Sequence, residues 1–383
     1  MFEGTKRILV IKLRHIGDVL LTVPAIRALK DTFPGASISA LVNAGTQDML
    51  TLNPLIDEVL TYNRSLKGLP VTERVKGELG FIAELRRKKF DMTVDLTGGD
   101  RPALIGFAAG ARYRLGYEPK GGFAGKKLLY THLAKRPEVK THTVLRDLGV
   151  VRAFGIDTKD LSVNIYTSAE DDKFIDGLLA EKGVKKGEPF VHVHPTSRWL
   201  FKCWTDEGMA YVMDRLSQAG FKVVVTTGPD EKELKKAASI VRLMKTKPIE
   251  LLGNIRLKHL ASLSKRAAFF FGVDSAPMHI AAATGTRVIS IFGPSGVFDW
   301  GQWDNRAIQG YAQRQGEVNS PYPKKSGVQV FGANMAIQKD WDCVPCGKDG
   351  CKGSKKSDCL DQLDPDYVWK ALEEFRLLDL KKQ

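Results

Sequence analysis

Apolar runs alternate with amphipathic stretches through the first part of the chain. The run RILVIKL at 7–13 is typical of a buried strand, and GDVLLTVPAIRALKDTF at 17–33 has the apolar spacing of one helix that ends before Pro34. Further strand-like runs follow at 37–42, 91–96 and 112–117, with a helix predicted at about 100–109. This alternation predicts a parallel, doubly wound α/β sheet.

Two stretches break the pattern. Residues 64–89 and 118–140 are rich in glycine and lysine with poor periodicity, and we predict mobile loops for both. A helix is predicted near 141–154, and the Gly-, Asp- and Lys-containing stretch at 155–170 is a plausible domain boundary.

A second α/β series follows this boundary. Strands are predicted at 189–195, 222–228, 249–253, 267–273 and 287–293. Helices are predicted at 206–219, 230–243 and 276–284, and a last amphipathic helix at 364–380. We therefore expect two Rossmann-like domains at 1–160 and 161–363, a cysteine-containing loop at 340–360 and a C-terminal helix in 364–383.

Composition narrows the class of protein. Of 383 residues, 43% are hydrophobic and 27% charged, and no apolar run approaches the length of a membrane span, so we expect a water-soluble protein. The N-terminus carries no secretory cleavage pattern, which predicts a cytoplasmic protein. The 58 lysines and arginines against 44 aspartates and glutamates give a net charge of +14, which would attract phosphorylated ligands, nucleic acid or an anionic membrane.

The first candidate site is the turn after the first strand, where Asp18 opens a helix. Asp18 could be a helix N-cap, or a general base with Lys12, Arg14 and His15 as a positive rim for an acidic acceptor. Sequence position alone leaves both alternatives open.

The second candidate site is VDSAPMHIAAATGT at 273–286. Ser275 and His279 lie one helical turn apart, but no Gly-x-Ser-x-Gly elbow or third triad member accompanies them, which disfavours a hydrolase. A capped helix with a packed histidine is one alternative. We favour an anion-binding helix terminus with Asp274 accepting sugar hydroxyls.

The third candidate site is HPTSRWLFKCW at 194–204. Its hydroxyls and cations suit phosphate oxygens, and these residues are Thr196, Ser197, Arg198 and Lys202. A solvated loop is the plain alternative, and the interleaved aromatic residues also allow nucleic acid, although no helix-turn-helix, RRM or paired zinc finger is present. Gly293 in FGPSG (292–296) could let the backbone approach a diphosphate, whereas dinucleotide and P-loop fingerprints are absent.

Four of the five cysteines crowd into one segment. They are Cys343, Cys346, Cys351 and Cys359, a possible tetrahedral set for structural zinc. The alternative is reduced cysteines in a basic loop whose lysines face phosphate or an anionic lipid. These lysines are Lys348, Lys352, Lys355 and Lys356.

The segments quoted above, together with TTGPDEKE and ISIFGPSG, resemble the bacterial ADP-heptose:lipopolysaccharide heptosyltransferases, glycosyltransferase family 9. The resemblance covers nearly the whole chain. HPTSRWLFKCW and CVPCGKDGCKGSKKSDCL are most similar to the heptosyltransferase III branch.

This resemblance implies the GT-B fold, with two Rossmann-like domains facing across a cleft. The first domain would bind the acceptor and the second the nucleotide sugar, and the C-terminal helix would pack back on the first. Asp18 would be the catalytic base of an inverting, metal-independent transfer. The residues implied for the donor site are Thr196, Ser197, Lys202, Glu231, Asp274, Ser275, Ala276, His279 and Gly293. Ser275-Ala276-Pro277 departs from the Thr-Gly-Leu of many relatives.

The resemblance also implies the partners. The donor would be ADP-heptose and the acceptor a core oligosaccharide on lipid A, at the cytoplasmic face of the inner membrane, with no nucleic acid. The net charge of +14 is consistent with contact to that membrane, and we hypothesise docking through the basic stretches 64–89 and 118–140. Two rival functions remain: a relative with another nucleotide sugar or acceptor position, and a non-catalytic nucleotide or nucleic-acid binding protein.

Overall fold

The computed structural model describes residues 2–63, 70–315 and 319–375. The chain divides into two compact units, Met1–Tyr166 and Thr167–Gln383. The division falls a few residues after the predicted boundary at 160/161. None of the helices in the described ranges is both long enough and apolar enough to span a bilayer.

The first unit is built on a parallel sheet. Its strands are β1 Arg7–Lys12, β2 Ser37–Asn43, β3 Glu58–Tyr62, β4 Met92–Asp95, β5 Tyr113–Tyr117 and β6 His132–Ala134. Its helices are α1 Ile16–Leu20, α2 Val23–Thr32, α3 Val71–Arg87, α4 Asp100–Ala108 and α5 Thr143–Arg152. The strand order is β3-β2-β1-β4-β5-β6.

The second unit repeats this plan. Its strands are β7 Phe190–His194, β8 Lys222–Thr227, β9 Ile249–Leu252, β10 Phe269–Val273, β11 Val288–Phe292, β12 Gln329–Phe331 and β13 Asn334–Gln338. Its helices are α6 Ala169–Glu181, α7 Asp206–Gln218, α8 Glu231–Leu243, α9 Leu257–Arg266, α10 Ala276–Ala283, α11 Val297–Trp300, α12 Asn305–Gln315, α13 Asp358–Asp361 and α14 Pro365–Glu374. The strand order is β12-β13-β11-β10-β7-β8-β9, with β12 antiparallel.

Both sheets have Rossmann topology. Numbered from the first strand of each unit, the parallel strands lie in the order 3-2-1-4-5-6. Because the strand order reverses between β1 and β4, and between β7 and β10, the ends of these strands open a crevice in each unit where ligands usually bind. The prediction of two Rossmann-like halves is confirmed, and it places the candidate residues after β1, β7 and β10 at these crevices.

Burial explains why the strands could be predicted from the sequence. The central strands β1, β7 and β10 are almost wholly buried, so they read as continuous apolar runs. On one face of the first sheet, Ile11 packs in a cluster with Leu85 of α3 and Ile105 of α4. This packing fixes α3 and α4 as a layer over β1 and β2.

The single helix predicted at 17–33 is wrong, because the structure has two. Helix α1 ends at Leu20 and α2 begins at Val23, with Pro24 in its first turn. Proline lacks an N–H and its ring clashes with the carbonyl four residues earlier, so it suits the first turn of a new helix better than a helix interior.

Neither predicted loop is a loop throughout. Residues 71–87 form α3, and residues 64–69 lie outside the described residues. The stretch 118–140 contains β6. Of the α3 side chains only Leu85 is fully buried, so the helix carries a weak helical pattern. Besides α3 and β6, the elements that were not predicted from the sequence are β3, α6, α9, α11, α12, α13, β12 and β13.

The C-terminal helix packs within the second unit, which corrects the expectation that it returns to the first. Val368, Trp369 and Leu372 of α14 enter the core cluster that also holds residues of α7. Just before α14, the Leu363 carbonyl accepts a hydrogen bond of 3.1 Å from Trp204 Nε1. The apolar face of α14 is thus occupied there, and residues 376–383 lie outside the described part of the chain.

Candidate active site

Asp18 lies just beyond the carboxyl end of β1, in the first turn of α1. Helix α1 has His15 as its N-cap, so Asp18 occupies the third helical position and the N-cap alternative is wrong. The side chain is half-buried, and its carboxylate has no hydrogen bond or ion pair among residues 2–63, 70–315 and 319–375. An acidic side chain held at a Rossmann crevice without a partner is suited to accept a proton.

Lys12 does not belong to the positive rim predicted around Asp18. Its ammonium is buried, 2.5 Å from Asp147 Oδ2 of α5, and it donates a second hydrogen bond of 3.0 Å to the Leu96 carbonyl. Lys12 is the last residue of β1, and its side chain points toward α5. Arg14 and His15 are exposed, as predicted for a rim.

The Lys12–Asp147 pair is close enough to Asp18 for the Asp18 charge to act on Asp147. Burial raises the pKa of Asp147, the Lys12 charge opposes that rise, and the Asp18 charge adds to it. The pair therefore anchors the turn that carries Asp18. It is structural, because neither group is accessible to a large acceptor.

We expect Asp147→Leu to destabilise the protein by about 3–5 kcal/mol, because it leaves the Lys12 ammonium buried without a counter-charge. Urea unfolding would measure this loss. The double variant Lys12→Met/Asp147→Leu removes both charges and should recover most of the stability. A double variant as unstable as the single one would contradict the pairing.

The end of β4 holds a second buried carboxylate. Asp95 Oδ2 accepts a hydrogen bond of 2.6 Å from the Tyr130 hydroxyl. Asp95 Oδ1 accepts hydrogen bonds from the backbone N–H groups of Thr97 and Gly98. Burial raises the pKa of Asp95, and these bonds oppose the rise. Asp95 thus shapes the turn beside the β1 end, a role that sequence reasoning missed.

In the second unit, Lys202 and Asp274 meet at the crevice between β7 and β10. Lys202 is the last residue of a short 3-10 turn after β7. Its Nζ donates a hydrogen bond of 2.7 Å to Oδ2 of Asp274, the residue directly after β10. Burial alone would raise the pKa of Asp274. The charge and hydrogen bond of Lys202 oppose this rise, as do a hydrogen bond from Ser295 and the nearby His279. Together they hold the pKa of Asp274 below its ordinary value. Asp274 is therefore ionised at neutral pH.

The N-terminus of α10 adjoins this pair. Ser275 is the N-cap but makes no side-chain capping bond, and its buried Oγ has no partner among the described residues. Ala276 is the first helical residue and the buried His279 lies one turn on. The helix start thus offers backbone N–H groups and one free hydroxyl next to Lys202.

Thr196 and Glu231 occupy different positions from those expected. The Thr196 hydroxyl is fully buried, 2.7 Å from Thr227 Oγ1, and donates 3.0 Å to Glu233 Oε2. Glu231 is exposed and pairs with Lys235. Residues two apart face different sides of a helix, so Glu233, whose pKa burial raises, is the acidic side chain at the β7 end.

Ser197 and two histidines make buried hydrogen bonds near the end of β7. The Ser197 N–H donates a hydrogen bond of 3.2 Å to Cys203 Sγ, which closes the turn that contains Lys202. His192 Nε2 and His194 Nδ1 both contact Thr226 Oγ1, at 2.8 and 2.9 Å. Burial lowers the pKa of both histidines, that of His194 to about 3, so this network is neutral and structural.

Gly293 has a packing role. A Cβ at this position would lie 2.5 Å from Leu360 Cδ1, and Leu360 belongs to the core of the unit. Glycine thus permits the close approach of a side chain of this chain, and the contact of Gly293 with a diphosphate stays a prediction.

A cavity of about 390 Å³ opens beside Lys202. Its walls bring residues after β7 together with the turn after β11 and the cysteine segment, and they include Trp199, Phe201, Ser295, Trp300, Gly347 and Lys348. The Gly347 N–H donates 2.8 Å to the Pro294 carbonyl, which ties the cysteine segment to the cavity wall. Aromatic walls beside a cation suit a nucleotide sugar.

The four clustered cysteines do not form a ready metal site. Cys343 and Cys346 are exposed, Cys351 is half-buried and Cys359 is buried. Within the described ranges, no group of three or more histidine, cysteine, aspartate or glutamate side chains is placed to hold a metal ion. As placed, the thiols do not fit zinc, and structural zinc stays a prediction.

We expect the cysteines to react with a disulfide reagent in separate phases. Burial and the neighbouring cysteines raise the pKa of Cys359 to about 12, and burial raises that of Cys203 to about 11. Because the thiolate is the nucleophile, Cys343 and Cys346 should react first in native protein. Uniformly slow reaction of all thiols that a chelator accelerates would instead indicate bound zinc.

Comparison with known proteins identifies the family. Residues 79–326 match the model of glycosyltransferase family 9 (heptosyltransferase), which is more than half of the chain. The chain belongs to glycosyltransferase family 9. A relative named lipopolysaccharide heptosyltransferase 3, from Escherichia coli K12, is 37% identical to it over 306 residues, which is 78% of this chain and 86% of the relative.

Solved family members share the fold. A family 9 glycosyltransferase from Veillonella parvula superposes with a TM-score of 0.78 at 22% identity, over 99% of both chains. The E. coli ADP-heptose LPS heptosyltransferase II has a TM-score of 0.72 at 17% identity, over 98% of this chain and 100% of its own. The GT-B class with two Rossmann-like units is confirmed, and the family 9 chain is a glycosyltransferase.

Proposed function

We propose that this family 9 enzyme is a heptosyltransferase of type III that moves heptose from ADP-L-glycero-D-manno-heptose to the inner core of lipopolysaccharide. The observation that carries this proposal is the ionised Asp274 paired with Lys202 at the start of α10, an arrangement that offers both a sugar contact and a diphosphate contact. Two relatives named lipopolysaccharide heptosyltransferase 3, at 37% and 33% identity, support the choice of type.

In the proposed reaction Asp18 is the general base. Its carboxylate takes the proton of an acceptor hydroxyl while that oxygen forms a bond to the anomeric carbon of heptose. The bond between this carbon and the diphosphate oxygen breaks, and ADP leaves with the electron pair. A single displacement inverts the anomeric configuration, and one free carboxylate suffices for it.

The departing diphosphate needs positive partners. Lys202 offers a cation, and the first N–H groups of α10 offer the positive end of a helix dipole. When a donor binds, the Lys202 ammonium would turn from Asp274 toward the phosphate oxygens. Asp274 would then accept heptose hydroxyls, and Ser275 Oγ would find the partner it lacks.

Arg14 and His15 are proposed to contact the acceptor. Both are exposed beside Asp18, and the acceptor of a core heptosyltransferase carries anionic groups that favour cations. The proposal needs no cofactor for the transfer, because proton acceptance and charge stabilisation are assigned to side chains and helix N–H groups. We further propose that the enzyme works at the cytoplasmic face of the inner membrane, without nucleic acid as a partner.

A donor and acceptor panel tests the function. The protein would be incubated with ADP-heptose, UDP-sugars or GDP-sugars, each with core acceptors that end before or after successive heptoses, and products analysed by mass spectrometry. We expect one added heptose only with ADP-heptose and an acceptor that already carries heptose. Transfer from another nucleotide sugar, or to a heptose-free acceptor alone, would favour the rival family 9 functions.

A further inference from the structure

The cavity of about 390 Å³ beside Lys202 reaches beyond the proposed diphosphate contacts. It extends from Lys202 and Ser295 to Asp299 and Trp300 on the short helix α11. Ser295 also hydrogen-bonds Asp274, so the cavity adjoins the carboxylate that is proposed to hold heptose hydroxyls. The volume lies at the small end of the range for ligand pockets, which suits one sugar better than a whole nucleotide sugar.

The charges on the cavity walls are balanced. Among the described residues that line the cavity, the cations are Lys202 and Lys348 and the carboxylates are Asp299 and Asp349. A pocket for a further anionic group would need an excess of cations. Carboxylates instead accept hydrogen bonds from neutral hydroxyls, and aromatic faces such as that of Trp300 cover apolar C–H surface. The lining therefore favours a neutral, hydroxylated ligand.

Hydrogen bonds from buried side chains fix two walls of the cavity. Gln338 Nε2, at the end of β13, donates hydrogen bonds of 2.7 and 2.8 Å to the carbonyls of Gly293 and Ser295, just before α11. In the wall that follows β7, the Phe201 carbonyl accepts a hydrogen bond of 2.6 Å from Ser357 Oγ. Walls fixed in this way keep their side chains at constant positions, which discrimination between similar ligands requires.

Of the two carboxylates, Asp299 is better placed to contact a bound sugar. Asp299 is half-buried, whereas Asp349 is exposed. Its carboxylate lies against the backbone of Gly296, where a Cβ would come within 2.7 Å of Asp299 Oδ2. Since Gly296 also lines the cavity, the position of the Asp299 carboxylate on the wall depends on a glycine there.

We propose that Asp299 determines donor specificity by accepting hydrogen bonds from the exocyclic hydroxyls at C6 and C7 of heptose. This inference rests on the proposed function, which places the diphosphate at the start of α10 and the sugar hydroxyls at Asp274. The anomeric carbon then lies near Lys202, and the far end of the sugar extends along the cavity toward α11. A hexose has no C7 hydroxyl, so it would leave one oxygen of the Asp299 carboxylate without this partner.

The test is calorimetric binding of ADP, ADP-heptose and ADP-mannose, which is the same sugar without its seventh carbon, in the absence of acceptor. Wild type should prefer ADP-heptose to ADP-mannose by about 10-fold to 100-fold, the effect of one hydrogen bond to a charged group. In Asp299→Ala this preference should fall to about threefold or less. Affinity for ADP itself should not change, because ADP carries no sugar.

A second variant moves the carboxylate and keeps its charge. Gly296→Ala places a methyl group against Asp299 Oδ2, and this side-chain end can shift, so the preference should fall while the protein stays folded. The matched controls in the same unit are Asp361→Asn, an exposed carboxylate, and Gly177→Ala, where a Cβ meets open space. Both should keep the wild-type preference.

The possible failures are distinguishable. A wild type that binds both ADP-sugars equally, or a preference that survives in both Asp299→Ala and Gly296→Ala, would overturn the role of Asp299. Equal losses of affinity for ADP-heptose and ADP-mannose in these variants would also overturn it, because a packing role weakens both donors alike. A wild type that prefers a UDP-sugar or GDP-sugar in the same assay would contradict the proposed function itself.

Discussion

Replacing Asp18 with asparagine should lower turnover by about 10²–10⁴-fold, the usual contribution of a general base. The substitution keeps the size of the side chain and removes only its ability to accept a proton. Asp18 has no hydrogen bond or ion pair in the described ranges, so the variant should fold normally. Steady-state release of ADP with saturating acceptor would measure the loss.

Two controls make this result specific. Glu84→Gln removes an exposed carboxylate from α3 and should leave turnover unchanged. Affinity for ADP, measured by calorimetry, should be the same in Asp18→Asn and wild type, because the diphosphate contacts are proposed in the second unit. An Asp18→Asn enzyme with near wild-type turnover would remove Asp18 from the reaction.

Replacing Lys202 with methionine should affect both catalysis and folding. Loss of a preorganised cation at the diphosphate should lower turnover by about 10²–10³-fold. The change also leaves the Asp274 carboxylate, which is buried, without its counter-charge. Since the Lys202 side chain is 23% exposed, we expect about 3 kcal/mol of destabilisation, the lower end for a broken buried pair.

A double variant separates the two effects. Lys202→Met/Asp274→Asn removes both charges and should regain stability in urea unfolding but not turnover. Lys247→Met, an exposed lysine of the same unit, is the matched control. Full activity of Lys202→Met would contradict the diphosphate role, whereas full stability of that single variant would show that the Lys202–Asp274 pair contributes little to folding.

The pair also predicts a pH dependence. Because the folded-state pKa of Asp274 lies below its ordinary value, the stability from this pair is present at neutral pH and is lost as the pH falls below about 4, through the lowered pKa. Lys202→Met should lose this acid-dependent part. Unfolding free energies measured from pH 6 downward, as a difference between the two proteins, would check it.

The sequence was most informative where burial is nearly complete. Strands β1, β7 and β10 read as apolar runs because both faces of a central parallel strand are covered. Helix α3 was missed because most of its side chains face solvent, and the short β6 carries too few residues for a pattern. The edges and outer layers of the units were therefore less predictable than their centres.

In the candidate site, the position of a residue along the chain was predictable, but the direction of its side chain was not. Placement at a strand end brought Asp18, Lys202 and Asp274 to the crevices of Rossmann sheets, as the motifs indicated. Whether a side chain points outward depends on packing with distant residues. Lys12 is buried by Asp147, and Glu233 rather than Glu231 meets Thr196, which only the folded chain reveals.

The measurement that tests the central claim most directly is the anomeric configuration of the new linkage, determined by NMR on product made from ADP-heptose, with ADP release followed in the same reaction. We predict one ADP for each heptose transferred, a configuration opposite to that of the donor, and loss of both signals in Asp18→Asn. Retention of configuration, or ADP release without growth of the glycan, would contradict a single displacement assisted by Asp18.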